Sequence, residues 1–207
     1  MIIKSAEFIK SAAALGQYPD EPFPEVAFAG KSNVGKSTLI NTLVNRKGLV
    51  KTSSTPGRTQ LINFFLINRE FRFVDLPGYG YAKAPVAEKK KWGPMVEAYL
   101  QSREELKAVV LLIDIRRDPD QKELDFMLWM NRYNLNQIYV LTKADKLSKA
   151  AQTLQMKAIA RGLSMDPENL ILFSSKTRMG KEKIWEAISG VLNLSPSDPT
   201  PSESRKR

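Results

Sequence analysis

The chain has 207 residues, enough for one domain with short flanking segments. It contains no cysteine and no histidine, which excludes disulfides, zinc–thiolate sites, thiol nucleophiles, Ser-His triads and histidine metal cages. The 32 Lys and Arg outweigh the 22 Asp and Glu to a formal charge of +10, a balance suited to a polyanionic partner such as nucleic acid.

In chain order, residues 1–25 read as a lead-in that stands outside the core. Lys4, Glu7 and Lys10 interrupt any signal-peptide core there. No apolar run is long enough to span a bilayer, and the chain reads as cytoplasmic. Residues 26–29 form a short apolar strand ending in a glycine loop, and 36–44 a helix. Residues 60–67 and 71–74 are strands joined by an Asn68-Arg69 hairpin turn. A helix is expected over 88–102, a buried strand over 108–114, a helix over 121–133 and a strand over 138–142. A helix over 149–163, a strand over 170–173 and a helix over 181–192 follow. Alternation of strand and helix predicts an α/β domain over 26–194. Its sheet is expected to be mostly parallel and six-stranded, with one antiparallel edge strand and helices on both faces. Residues 195–207, rich in Pro and Ser, are expected to be disordered.

Such sheets bind ligands in the loops at the carboxyl ends of their strands. The first of these loops is Gly30, Lys31, Ser32, Asn33, Val34, Gly35, Lys36, Ser37, a G-x-x-x-x-G-K-[ST] match between a strand and a helix. Its glycines let backbone N–H groups wrap phosphates, and the helix that follows adds its positive dipole end. Lys36 is placed for the β- and γ-phosphates as a point charge solvated until phosphate arrives, and Ser37 Oγ as a magnesium ligand. The second loop is Asp75, Leu76, Pro77, Gly78. Here the aspartate can hold magnesium through water and the glycine can offer its N–H to the γ-phosphate.

The third loop, Thr142, Lys143, Ala144, Asp145, selects the base. Guanine presents N1–H and a 2-amino group, both donors that the Asp145 carboxylate can accept. Adenine turns a lone pair toward the same position. The Lys143 stem can lie along the base. The fourth loop, Ser174, Ser175, Lys176 after Phe173, offers backbone amides to the guanine O6. A polar stretch over 52–61 could bring a threonine hydroxyl to magnesium, and Thr55 and Thr59 both qualify by chemistry. Four loops in this order read as the G1, G3, G4 and G5 elements of a GTPase, with the threonine-rich loop as G2.

The combination of GKSNVGKS, SSTPGRTQLINFF, FVDLPGYGYA, TKAD and SSK resembles the EngB (YihA/YsxC) ribosome-biogenesis GTPases of bacteria, within the TrmE-Era-EngA-EngB-septin-like P-loop superfamily. The resemblance implies a Ras-like P-loop GTPase fold. It puts the magnesium-ligating threonine at Thr59, and nucleotide contacts at Gly57, Arg58, Thr59, Gln60 and Leu61. It also implies slow hydrolysis, a role in assembly of the large ribosomal subunit and a link to cell division and septation. Tyr79 stands where Ras-type proteins carry the glutamine that orients water. Related GTPases with an asparagine at the position of Asn33 hold a potassium ion with it, and asparagine also suits the turn.

Lys83, Lys89, Lys90, Lys91, Arg116 and Arg117, with Tyr79, Tyr81 and Trp92 among them, are expected to form an RNA face beside the nucleotide loops. The resulting expectation is a monomeric GTP-binding and GTP-hydrolysing factor for the 50S subunit. A P-loop ATPase is disfavoured by Asp145, and a membrane GTPase by the want of a lipidation cysteine or amphipathic anchor.

Overall fold

The computed structural model describes residues 1–50, 61–79 and 86–194, the side chains of 86–92 excepted. Thr55, Gly57, Arg58, Thr59, Gln60, Tyr81 and Lys83 and the 195–207 tail lie outside the described residues. The side chains of Lys89, Lys90, Lys91 and Trp92 also lie outside the described residues.

In chain order the elements are β1 (Ala6–Ala12), β2 (Glu25–Gly30), α1 (Lys36–Leu43), β3 (Ile62–Ile67), β4 (Phe71–Asp75), α2 (Val86–Ser102), β5 (Leu106–Asp114), α3 (Gln121–Arg132), β6 (Asn136–Thr142), α4 (Lys149–Gly162), β7 (Leu170–Leu172) and α5 (Lys181–Leu192). The sheet order is β1-β3-β4-β2-β5-β6-β7, seven strands where six were expected. The extra strand comes from the N-terminal stretch read as lying outside the core. Only its ends, Ala6 and Ala12, are buried, and the register slips between Phe8 and Lys10. A bulged edge strand loses the strict period of two that identifies a strand in sequence.

β1 covers β3, so the strand that runs against its neighbours is an inner one and not the edge. Asn68 and Arg69 turn the β3–β4 hairpin with φ of 52° and 58°, the paired left-handed geometry that matches sheet twist. The Asn68 side chain also accepts from the Lys4 and Ser5 amides at 2.7 and 3.2 Å, which ties the start of the chain to this turn.

β5 shows how the two layers form. Val109, Leu111 and Ile113 face α2, α3 and α4, while Ala108, Val110 and Leu112 face α1 and α5. Both faces are covered, so the strand is apolar almost throughout. α1 leaves β2 toward one face and α3 leaves β5 toward the other. The crevice outside the carboxyl ends of β2 and β5 is therefore the switch point where ligands bind in such sheets.

At the opposite end of β2, Glu25 is fully buried. Arg72, Arg103 and the Tyr99 hydroxyl all donate to it, at 3.2, 2.7 and 2.9 Å. The same two arginines reach the carbonyls of Glu21 and Pro19 and so hold the proline-rich 19–25 segment against the base of the sheet.

Candidate functional site

The phosphate loop runs from the end of β2 to α1. Gly35 caps the helix at φ 109°, a conformation that side-chain-bearing residues rarely adopt, although the space beside it is open. Asn33 sits at φ 64°, which asparagine tolerates better than most residues. Lys36 opens the helix but is not the solvated charge expected of it: it is 8% exposed and bonded to Asp75 at the end of β4. A lone ammonium would be costly in that buried position, so the nearest carboxylate neutralises it. Asp75 is wholly buried, and its Oδ2 has no hydrogen-bond partner. Ser37 lies in the first turn of α1, half-buried.

The 75–78 loop is docked onto the phosphate loop. The Leu76 amide donates to the Phe28 carbonyl at 3.1 Å, the Ser32 amide to Tyr79 at 3.0 Å and the Tyr79 amide to Gly30 at 3.3 Å. A Cβ on Gly78 would lie 3.1 Å from the Ser32 amide nitrogen, a tight contact that would require the phosphate loop to give by a few tenths of an ångström. Tyr79 is 5% exposed, with its ring stacked on Phe126 of α3 at 5.7 Å. It is thus part of the core and not of an RNA-facing surface, and its backbone bridges to Lys31. Lys31 in turn bonds Asp120 at 2.8 Å and Glu123 at 2.9 Å, the two capping residues of α3.

The base loop leaves β6 alongside. The Thr142 hydroxyl donates to the Val34 carbonyl at 2.7 Å and joins this loop to the phosphate loop. Lys143 takes a left-handed backbone, φ 61°, and its ammonium donates to the Asn33 carbonyl at 2.8 Å and to Asp114 at 2.9 Å. The Ala144 amide donates to the Phe173 carbonyl at 3.1 Å, bringing the fourth loop in. Ser174 Oγ donates to the Asp145 carboxylate at 2.7 Å, a bond that lowers the Asp145 pKa from its ordinary value. Asp145 is therefore an ionised acceptor, as pairing with two guanine donors requires. Ser175 and Lys176 are exposed at the rim. Leu61 is 40% exposed just ahead of β3.

The described loops converge at this end of the sheet, with one further participant. Asp114, at the end of β5, stands in the sequence simply as the last residue of an apolar strand. Its position matches that of Asp75, a carboxylate closing an apolar strand, and that pattern is visible in the sequence. Arg116, expected on an RNA face, is instead bonded to Asp114 through both guanidinium arms, at 2.9 and 2.7 Å. Arg117 is exposed.

Sheet, phosphate loop and base loop together define a P-loop GTPase. Residues 25–143 match the family described as 50S ribosome-binding GTPase. The chain is 58% identical to "Probable GTP-binding protein EngB" of Desulforapulum autotrophicum over 93% of its length and all of the relative's. It is 54% identical to the protein of that description in Geotalea daltonii over 93% of each chain. A crystal structure of a probable GTP-binding protein engB superposes with a TM-score of 0.69 over 83% of this chain and all of that one, at 21% identity. The ribosomal-RNA complex of Era superposes at 0.61 over 86% of this chain and 58% of that one, at 22% identity, a likeness of fold. The chain belongs to the EngB family of GTP-binding proteins.

Proposed function

We propose that this GTPase hydrolyses GTP with magnesium and acts as a nucleotide-dependent factor in assembly of the 50S subunit. The observation that carries the nucleotide part is the base loop: an ionised Asp145 held by Ser174, next to a Lys143 anchored on the phosphate loop. Asp145 accepts the guanine N1–H and 2-amino donors, the Lys143 stem lies along the ring, and the Ser175 and Lys176 amides face O6, the Ser174 amide donating instead to the Met179 carbonyl at 3.2 Å. Lys36 exchanges Asp75 for the β- and γ-phosphates, and the Gly78 N–H meets the γ-phosphate. Ser37, Thr59 and, through water, Asp75 hold the magnesium. The buried Asp75 Oδ2, with no hydrogen-bond partner, suits the hydration shell of a hard cation. Magnesium, when bound, neutralises charge on the phosphates. Tyr79, turned into the core, leaves the water-orienting position without a carboxamide, which accords with slow intrinsic turnover. Asn33 is also the candidate potassium ligand. Faster hydrolysis in potassium than in sodium, abolished by Asn33→Ala, tests that role, and equal rates in both salts leave Asn33 as a turn residue. Thr59→Ala should spare GDP and weaken GTP binding. That phenotype in Thr55→Ala instead would move the metal ligand.

The ribosomal part is supported by the family description and by the +10 charge. Under this reading the protein is a cytoplasmic monomer with a link to cell division and septation. Among the described residues no helix is long and apolar enough to cross a membrane. The test is co-sedimentation with large subunits or their precursors. Binding should be tighter with a non-hydrolysable GTP analogue than with GDP and fall steeply with salt. Binding indifferent to both nucleotide and salt overturns it.

A further inference from the structure

Asp114 lies outside the four nucleotide loops, yet three hydrogen bonds from charged side chains converge on it. Arg116 uses both guanidinium arms, and Lys143 donates at 2.9 Å. The Arg116 amide adds a fourth bond at 3.1 Å. The carboxylate is almost wholly buried, and it closes the central strand β5 directly across from Thr142 of β6. It is therefore fixed by the sheet, while Lys143 is not. That lysine sits in a left-handed backbone conformation costing about 1–3 kcal/mol for a residue with a side chain, so its geometry has to be imposed by its surroundings. Its side chain is held by two contacts, the Asn33 carbonyl and Asp114, and its own carbonyl accepts from the Lys146 amide at 3.0 Å.

We infer that Asp114 is a positioning residue for nucleotide binding: it holds the Lys143 stem in the plane where the guanine base docks and, through Lys143, clamps the phosphate loop at Asn33. Arg116 satisfies the remaining lone pairs of the carboxylate from the solvent side. The inference rests on the placement of Lys143 along the base proposed above. A preset lysine spares the nucleotide the entropic cost of ordering a long side chain on arrival. Asp114 touches neither the cleaved bond nor the attacking water, so its loss should appear in binding and not in the chemical step.

The test is a double-mutant cycle on the full chain, read by fluorescent GDP dissociation and by GTP turnover. Asp114→Asn should weaken GDP by roughly ten- to a hundredfold, the range for losing a charged hydrogen bond. It should raise KM for GTP with kcat unchanged at saturation, and in a Lys143→Ala background it should add little. Arg116→Ala leaves the Asp114–Lys143 bond in place, so its effect should be smaller than that of Asp114→Asn. If Asp114→Asn fails to fold, Asp114→Glu, which keeps the charge but displaces it from Lys143, is read in the same way. Wild-type affinity in Asp114→Asn, a loss undiminished in the Lys143→Ala background, or a loss in Arg116→Ala as large as the range above overturns the inference. If Lys143→Ala is itself silent, the base-loop reading fails as well. If Lys143→Ala weakens binding and Asp114→Asn does not, only the role of Asp114 falls.

Discussion

Lys36, at the head of α1, is bonded to Asp75, at the end of β4, and both side chains are buried. The two charges assigned to the phosphate and to its metal thus neutralise one another across the crevice. Removing one strands the other. Lys36→Ala should abolish tight triphosphate binding and also lower the stability of protein stripped of nucleotide by about 3–5 kcal/mol, the usual penalty for an unpaired buried charge. Urea unfolding checks this, and Asp75→Asn in the same chain should restore much of the loss. An unchanged midpoint in Lys36→Ala would mean that the ion pair contributes nothing to the fold.

Thr142 performs its work through one hydroxyl, buried and bonded to the Val34 carbonyl. Thr142→Val keeps the shape and deletes the donor. The orphaned carbonyl should cost about 1–3 kcal/mol, seen as faster GDP release together with a lower unfolding midpoint. Thr142→Ser should retain most of both. Equal behaviour of the Val and Ser variants would remove the hydroxyl from the account.

Guanine selectivity should depend on Asp145. Asp145→Asn replaces an acceptor with an amide that can donate to a C2 carbonyl, so preference should shift from GTP toward XTP, measured by competition. The pH dependence follows from the Ser174 bond, which lowers the Asp145 pKa from 3.8. A depressed carboxylate keeps its charge, and its contribution, above its ordinary value and loses it only as pH falls through the lowered one. The ratio of parent to Asp145→Asn affinity for GDP should therefore be flat from about pH 8 to about pH 5, since no histidine titrates in that window. A ratio that collapses near neutrality would show that another group controls the pocket.

At the far end of β2, Glu25 balances Arg72 and Arg103 in a buried cluster. Glu25→Gln leaves Arg72 and Arg103 with only Glu21 and Glu105 as charged partners and should destabilise the fold by about 1–3 kcal/mol. The loops lie at the other end of the strand, roughly 17 Å away at the rise of an extended chain, so GDP affinity of the folded protein should hold. Calorimetry against nucleotide titration separates the two effects.

The sequence by itself determined the P-loop, its strand–helix setting, the order of the nucleotide loops and the alternation that makes a mostly parallel sheet. Each of these is local: glycines, a lysine and a serine at set spacing, or a run of apolar residues bounded by turns. Only the tertiary structure decided that residues 1–25 belong to the fold, because an edge strand with a bulge carries no clean periodicity. It also decided the partners of the charges. Lys36 with Asp75 and Lys143 with Asp114 are far apart in sequence, and burial, which the sequence does not show, sets which ions must pair. Tyr79 makes the same point: set between Gly78 and Gly80 it carries no sequence sign of burial, yet its ring packs in the core against Phe126.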